Sequence, residues 1–153
     1  MARWGVVAAT ATTAAAVAGA VGTRPTSAWY RALAKPAWQP PPQAFPIVWT
    51  PLYASIAWAA ARALKAESRG GRPGAYASIL GADLALNAGW CWAFFAARSP
   101  STALAAIVAL DAVNVALIVR TNRRDRPAAA LLLPYLAWTG FATALNLAIW
   151  RRN

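Results

Sequence analysis

The chain has 153 residues, of which 59% are hydrophobic and only 12% are charged. This composition is far more apolar than that of a soluble domain of similar length, so it indicates an integral membrane protein. The net charge is +11, but the basic residues fall almost entirely between apolar segments, which favours anionic lipid headgroups as partners and argues against nucleic acid. With one cysteine, Cys91, and no histidine, an intrachain disulfide is excluded and no metal site of the usual Cys and His kind is expected.

The first apolar segment, residues 4–23, is a run of small and apolar residues without a charge. It is long enough to cross a bilayer, although it is only weakly hydrophobic. The alternative is a cleaved signal peptide, because Arg3 supplies a basic start and the AVAGA sequence resembles a cleavage site. Residues 24–43 form a polar, proline-rich connection that we expect to lie as a lid over one end of the bundle.

The sequence WQPPPQAFPIVWTPLY at residues 38–53 holds five prolines and four aromatic residues. The three consecutive prolines predict a stiff, non-helical entry, so the second helix starts only after them. Phe45, Trp49 and Tyr53 then share one helical face, and Pro51 is expected to bend the helix. The second span is predicted to end in a charged, glycine-rich solvated linker that begins at Arg62.

The third span has two opposed faces at 100° per residue. Its polar and aromatic face consists of Asp83, Asn87, Trp90 and Phe94. The other face has a small residue at every fourth position, namely at Ala77, Gly81, Ala85 and Gly89. Small residues at this spacing let helix backbones approach closely in lipid, so the second set is a candidate dimer interface. The alternative is that alanine is simply abundant in this chain.

Asp83 and Asp111 are the only acids predicted inside the spans. An ionisable residue in a membrane helix is costly, which makes it a candidate for function. The alternative, which we favour, is a structural hydrogen bond between helices, with Asn87, Asn114 and Asn146 as the available partners. Nothing in the sequence resembles a nucleophile with its base, a phosphate loop or paired metal ligands, so no catalytic residue is predicted.

The fifth span presents one continuous face, formed by Tyr135, Trp138, Ala142, Leu145, Asn146 and Ile149. Pro134 is expected to kink this helix. Short connections favour antiparallel packing of successive spans. We therefore predict an all-α membrane protein, a single domain over residues 1–153, with a five-transmembrane-helix bundle built from residues 4–23, 44–64, 74–97, 101–120 and 127–150.

The basic residues in alternate connections are unequal, with nine on the side of the N-terminus and six on the other. Because cytoplasmic loops carry the excess of Lys and Arg, this count predicts a cytoplasmic N-terminus and a lid on the outer side. We expect a multi-pass protein of a bacterial cell membrane.

Three motifs in the same order and spacing resemble the translocator protein family (TspO/MBR), also called tryptophan-rich sensory proteins and, in animals, the peripheral-type benzodiazepine receptor. They are WQPPPQAFPIVWTPLY, LALNAGWCWAFF at residues 84–95 and LLLPYLAWTGFATALNLAIWRRN at residues 131–153. The resemblance implies five transmembrane helices, frequent dimers, and a pocket that binds porphyrins and, in animals, cholesterol and synthetic ligands. It also implies that residues 4–23 stay in place as the first helix.

The resemblance implies a ligand pocket formed by Trp38, Phe45, Trp49, Tyr53, Asn87, Trp90, Trp138, Ala142 and Leu145. A flat, largely apolar macrocycle suits such a pocket, because aromatic rings stack on it. Its propionates would need cations, for which the candidates on the lid are Arg24, Arg31 and Lys35. Metal-free protoporphyrin is favoured over haem, since without histidine only Cys91 or a tyrosine could ligate the iron. No cofactor is required, and the porphyrin is expected as a ligand.

The family's cholesterol-recognition segment has an essential tyrosine near the C-terminus, whereas this chain has Leu147 there. Cholesterol is therefore not carried over as a ligand.

The main hypothesis is a tetrapyrrole-binding membrane protein that acts as a sensor, regulator or carrier. The alternative is an enzyme: some bacterial relatives are reported to degrade protoporphyrin in light, and Trp49 and Trp138 match the tryptophans implicated there. A transporter of tetrapyrroles or sterols is a third hypothesis, but five helices without an internal repeat argue against alternating access.

Overall fold

The computed structural model describes residues 2–153. All of its regular secondary structure is helical, and no strand occurs in that part of the chain. Five helical segments are long and apolar enough to cross a membrane, which confirms the predicted five-helix bundle. The elements are α1 (Ala2–Gly22), α2 (Ala28–Ala32), α3 (Ala44–Arg69), α4 (Pro73–Cys91) continued by a π-helical turn (Trp92–Ala96), α5 (Pro100–Asn122), α6 (Arg126–Ala130) and α7 (Leu133–Arg152).

Side-chain caps set the starts of α5 and α6, as one also does at α2. The Ser99 side chain accepts a hydrogen bond from the amide of Thr102 at the start of α5. Asp125 accepts one from the amide of Ala128 at the start of α6. In both helices a proline follows in the first turn, where its missing amide proton costs little. The starts of the fourth and fifth spans are thereby fixed.

The order of the helices around the bundle differs partly from the predicted sequential packing. α1 packs on α3, α4 on α5, and α5 on α7, as expected for successive spans. However, α4 lies mainly against α1 and α5 and contacts α3 much less. The short turn between α3 and α4 includes Gly71, whose φ of +70° is a left-handed conformation that favours glycine. α3 and α7 touch only sparsely, which leaves room between them for a cavity.

The prediction of a solvated linker from Arg62 onward is wrong. α3 continues to Arg69, and Glu67 is buried on its inner side. Arg120 of α5 donates two hydrogen bonds to the Glu67 carboxylate, at 2.7 and 3.0 Å. Arg62 likewise makes two, at 2.9 and 3.2 Å, to Asp125. These ion pairs with distant residues keep a charged segment helical that has the composition of a loop.

Pro134 does not kink a continuous fifth helix as predicted. The last span is interrupted at residues 131–132, and Pro134 lies in the first turn of α7. Proline lacks an amide donor and its ring clashes with the carbonyl four residues earlier, so the helix restarts at this point. The predicted inner face of α7 is otherwise confirmed, since five of its six residues are buried and Trp138 is half-buried.

The two faces of α4 are opposed as predicted. Asp83, Asn87 and Phe94 are buried, whereas the small-residue face is exposed along its whole length. A Cβ added at Gly81 or Gly89 would meet nothing within 4 Å. The small-residue face therefore has no packing role among the described residues of one chain.

A close contact joins α1 to the π-helical turn. The indole Nε1 of Trp92 donates a hydrogen bond to the carbonyl of Ala18, at 2.9 Å. A Cβ placed on Gly22 would lie 2.8 Å from the Trp92 ring, so only glycine fits there without displacing the ring.

We expect Gly22→Ala to lower the free energy of unfolding by about 1–3 kcal/mol, because the added methyl group must displace Trp92 and break its hydrogen bond to Ala18. Gly5→Ala is the matched control in the same helix, since a Cβ there meets nothing within 4 Å. Both variants are compared by denaturant titration in mixed micelles. Equal stability of the two variants would contradict the close contact.

Candidate ligand-binding cavity

A cavity of about 460 Å³ lies inside the bundle, between α1, α3, the end of α4 and α7, at the end that carries residues 23–43. This volume is in the range of small-molecule sites. The lining is Ala16, Gly19, Ala20, Thr23, Pro25, Tyr30, Pro42, Phe45, Pro46, Trp49, Tyr53, Trp90, Cys91, Phe94, Phe95, Trp138, Phe141, Ala142, Leu145, Asn146 and Ile149.

Two stacked aromatic pairs form the walls contributed by α3 and α7. On α3, Trp49 and Tyr53 have ring centroids 5.1 Å apart and an interplanar angle of 25°. On α7, Trp138 and Phe141 are 5.4 Å apart at 28°. Phe45 meets Trp138 edge to face across the two helices, at 5.9 Å. The cavity therefore presents flat aromatic surfaces from two sides.

The π-helical turn supplies a third wall. Its hydrogen bond from the amide of Ala97 to the carbonyl of Trp92 spans five residues, at 2.8 Å. Two successive aromatic residues of this turn, Phe94 and Phe95, both line the cavity. Their rings contact each other and Tyr30 of α2. π-turns inside helices are frequent at functional sites, which agrees with the position of this one.

A chain of hydrogen bonds leads from the cavity wall into the closed part of the bundle. The Tyr53 hydroxyl donates to Asn87 Oδ1 at 2.9 Å, and Asn87 Nδ2 donates to the Tyr135 hydroxyl at 3.0 Å. The Tyr135 hydroxyl in turn donates to Asp83 Oδ2, at 3.0 Å. This chain, which joins α3, α4 and α7, fixes the orientation of Tyr53 in the cavity.

The predicted interhelical hydrogen bonds of the two acids are present, but the predicted asparagine partners are wrong. Asp83 accepts from Tyr135, and Asp111 accepts from Thr143 at 2.7 Å. Asn146 instead accepts from the Trp90 indole at 2.9 Å. Hydroxyl donors satisfy a carboxylate as well as amides do, and the sequence pattern alone does not distinguish them.

Asn114 is fully buried, and neither of its side-chain polar atoms has a hydrogen-bond partner among residues 2–153. It is the third predicted asparagine partner and bonds to neither acid.

Seven of the nine predicted pocket residues line the cavity, namely Phe45, Trp49, Tyr53, Trp90, Trp138, Ala142 and Leu145. The other two do not. Asn87 lies behind Tyr53 as its hydrogen-bond acceptor. Trp38 is about half exposed and packs edge to face on Phe141, with ring centroids 5.7 Å apart. Both residues support lining residues.

The three predicted propionate cations lie outside the lining. Arg24 and Arg31 are exposed. Lys35 Nζ donates to the carbonyls of Tyr30 and Leu33 and lies 4.5 Å from the Tyr30 ring centroid. Since Tyr30 lines the cavity, Lys35 is near its rim. The wall itself carries no charged side chain in the described chain, and no cluster of His, Cys, Asp or Glu that could hold a metal ion occurs among residues 2–153.

The sequence did not predict the α1 side of the cavity, which consists of Ala16, Gly19 and Ala20 with Thr23 directly after the helix. These residues carry no aromatic or charged group, so no chemical signal marks them. Phe94, Asn146 and Ile149 could have been included, because they share helical faces with predicted pocket residues. The position of Tyr30 depends on how the connection folds back over the bundle.

Asn153 holds the lid, residues 24–43, to the C-terminal end of α7. Its side chain accepts a hydrogen bond from the Ala34 amide at 2.9 Å and donates one to the Ala34 carbonyl at 3.0 Å. A second donor bond goes to the carbonyl of Ile149, a lining residue, at 2.8 Å. Asn153 thus joins the lid to α7, which forms part of the cavity wall.

We expect Asn153→Ala to increase amide hydrogen exchange across residues 28–43 by about tenfold, because the lid loses two hydrogen bonds to Asn153. Arg151→Ala is the matched control, since that side chain is exposed and neighbours the same helix end. Exchange is measured by mass spectrometry. Unchanged exchange in Asn153→Ala would show that the hydrogen bonds between Asn153 and Ala34 do not hold the lid in place.

Comparison with known proteins agrees with this architecture. The model of the TspO/MBR family matches residues 6–151. The chain is 36% identical over 130 residues to the tryptophan-rich protein TspO of Chlorobaculum tepidum, covering 85% of this chain and 82% of the relative. It is 37% identical over 125 residues to the tryptophan-rich sensory protein of Cereibacter sphaeroides, covering 82% and 77%. Identity to the human translocator protein is 36% over 128 residues, covering 82% and 75%. The chain, an integral multi-pass membrane protein, therefore belongs to the TspO/MBR family.

Proposed function

We propose that this protein binds a porphyrin or a related tetrapyrrole in the cavity and acts as a sensor, regulator or carrier of it. The observation that carries the proposal is the cavity itself, which has about 460 Å³ of space between stacked aromatic pairs on two helices. A flat macrocycle can stack on such rings with most of its surface buried, as ligand sites require.

The few polar groups of the lining suit the macrocycle better than a strongly charged ligand. The Trp90 indole and Tyr53 hydroxyl already have partners inside the protein. The ring of a porphyrin carries no charge. Its burial in the cavity therefore places no charge there without a counterion. The propionates belong at the rim, where Lys35 lies beside Tyr30 and where Arg24 stands between the lining residues Thr23 and Pro25 in the chain.

Metal-free protoporphyrin IX is the ligand we propose, in preference to haem. Of the usual protein ligands of haem iron, the described lining offers only the Cys91 thiol and the hydroxyls of Tyr30 and Tyr53. Tyr30 accepts a hydrogen bond from Gln39, and Tyr53 donates to Asn87. Burial raises the pKa of the Tyr30 hydroxyl, which disfavours the phenolate that would bind iron.

The second candidate is light-dependent degradation of the bound porphyrin. Both tryptophans that the family resemblance implicates, Trp49 and Trp138, line the cavity and stack on a second ring. Each indole is therefore positioned to contact an excited macrocycle.

Illumination of the purified protein with protoporphyrin IX tests the proposal and separates the two candidates. Saturable binding with a stable Soret band supports a binding protein. Loss of the band in the wild type that is abolished in Trp138→Phe supports the enzyme, while absence of saturable binding contradicts both.

We further propose a homodimer joined through the small-residue face of α4. That face is exposed and has open space at Gly81 and Gly89, and small residues allow close helix approach in lipid. Gly81→Leu and Gly89→Leu are expected to shift a dimer to monomer in light scattering, whereas Gly140→Leu, which is also exposed and open in the structure but lies on α7, should not. An unchanged oligomer in both variants would overturn this interface.

A further inference from the structure

A second, smaller concavity of about 220 Å³ lies at the end of the bundle opposite the cavity. We call it the basic groove and define it by its lining, Arg62, Lys65, Ala66, Arg69, Arg124 and Asp125. Four basic side chains thus surround it and a single carboxylate opposes them. This balance favours an anionic occupant.

The carboxylates at this end of the bundle are already paired. Asp125 is held by Arg62, and the hydrogen bond from Arg62 lowers the pKa of that carboxyl, so it stays ionised. Glu67 is buried beneath Arg120, with Arg124 at 3.8 Å. Neither Lys65 nor Arg69 has a carboxylate within ion-pair distance in the described chain. These two cations are therefore free to meet an external anion.

The arginine side chains of the groove suit a phosphate oxyanion. The guanidinium of Arg62 is fixed by two hydrogen bonds from Nε and Nη2 to Asp125. Arg124 follows the cap of α5 and stands over Gly70, where an added Cβ would lie 3.3 Å from its Nη2. Arg62, held by Asp125, and Arg124, 3.8 Å from Glu67, thus line about 220 Å³ together with Lys65 and Arg69, and phosphate oxygens match guanidinium donors well.

The surface that leads to the groove points to a lipid as the carrier of that phosphate. Trp58, Arg62, Lys65 and Arg69 follow one another at spacings of four, three and four residues, so they share one face of α3. Trp58 is 59% exposed, as is typical of an indole at the membrane interface. The basic residues therefore begin one helical turn beyond an exposed aromatic residue on the same face of α3, the arrangement expected of a helix end at the level of lipid headgroups.

We propose that the basic groove is a binding site for the phosphate of an anionic phospholipid headgroup. Arg62 and Arg124 form its rim, and Lys65 and Arg69 supply the charges that the occupant neutralises. Basic pockets between transmembrane helices are suited to such headgroups.

The test is native mass spectrometry of the full chain, released from nanodiscs that contain equal amounts of phosphatidylglycerol and phosphatidylcholine. The wild type is expected to retain phosphatidylglycerol preferentially. Lys65→Gln with Arg69→Gln should lower that retention by about tenfold or more, since each cation near the headgroups contributes several-fold. Arg123→Gln with Arg126→Gln is the control, because it removes equal charge from exposed residues at the same end that do not line the groove.

Three outcomes would overturn the proposal. The first is equal retention of the two lipids by the wild type, and the second is an equal loss in the two double variants, which would mean a general charge effect. The third is displacement of the retained lipid by millimolar inorganic phosphate with no dependence on acyl chains, which would assign the groove to free phosphate. The helical circular dichroism signal and the thermal unfolding transition serve as folding controls for each variant, and they do not depend on porphyrin binding.

Discussion

Ala20→Trp is expected to weaken binding of protoporphyrin IX by about tenfold or more, because the new indole occupies space that the macrocycle needs. Ala20 lines the cavity from α1 but is itself exposed, so a larger side chain enters the open space without displacing core residues. The measurement is quenching of tryptophan fluorescence during titration with the porphyrin in detergent.

The matched control for this variant is Val21→Trp. Val21 is the next residue of the same helix, is 62% exposed and lies outside the lining. It adds an indole of the same size to the lipid-facing side and should leave affinity unchanged. An Ala20→Trp protein that binds as tightly as the control would place the porphyrin elsewhere than in this cavity.

Tyr135→Phe is expected to lower the free energy of unfolding by about 2–3 kcal/mol, because it leaves two buried groups without a partner. The Tyr135 hydroxyl accepts from Asn87 and donates to Asp83, and all three residues are buried. Phenylalanine keeps the ring packing but removes both hydrogen bonds. Titration with SDS in mixed micelles measures the change.

Tyr76→Phe controls for the loss of any buried hydroxyl. Tyr76 is as fully buried as Tyr135, but its hydroxyl has one partner, Thr121 at 3.2 Å, and Thr121 also donates to the Leu117 carbonyl. Loss of the Tyr76 hydroxyl should lower the free energy of unfolding by about 1 kcal/mol or less. If Tyr135→Phe and Tyr76→Phe lower the free energy of unfolding equally, the hydrogen-bond chain from Tyr53 to Asp83 stabilises the fold no more than a single buried hydroxyl does.

The number of spanning helices was predictable from the apolar segments, and the aromatic residues that α3, α4 and α7 turn toward the cavity were predictable from helical periodicity. The 3.6-residue repeat placed Trp90 on the inner face of α4 and Trp138 on that of α7, and both line the cavity. Periodicity works here because each helix turns its polar residues away from lipid, and the aromatic residues at the same helical spacing then face the interior. Trp49 and Tyr53 follow from the same argument.

What could not be predicted depends on contacts between distant parts of the chain. The last two turns of α3 have the composition of a loop, and only Arg120, 53 residues away, shows why Glu67 is helical and buried. The α1 wall is built from residues such as Gly19 and Ala20, whose sole property is small size. Lid residues such as Trp38 were assigned from the family motif, yet its ring packs on Phe141 outside the cavity.

The most direct measurement of the central claim is an experimental structure of the protein with protoporphyrin IX bound. We expect the macrocycle inside the cavity, in contact with Trp49 and Trp138, with its propionates at the rim near Lys35. A porphyrin bound on the lipid-facing surface, with the cavity unoccupied, would contradict the proposed function.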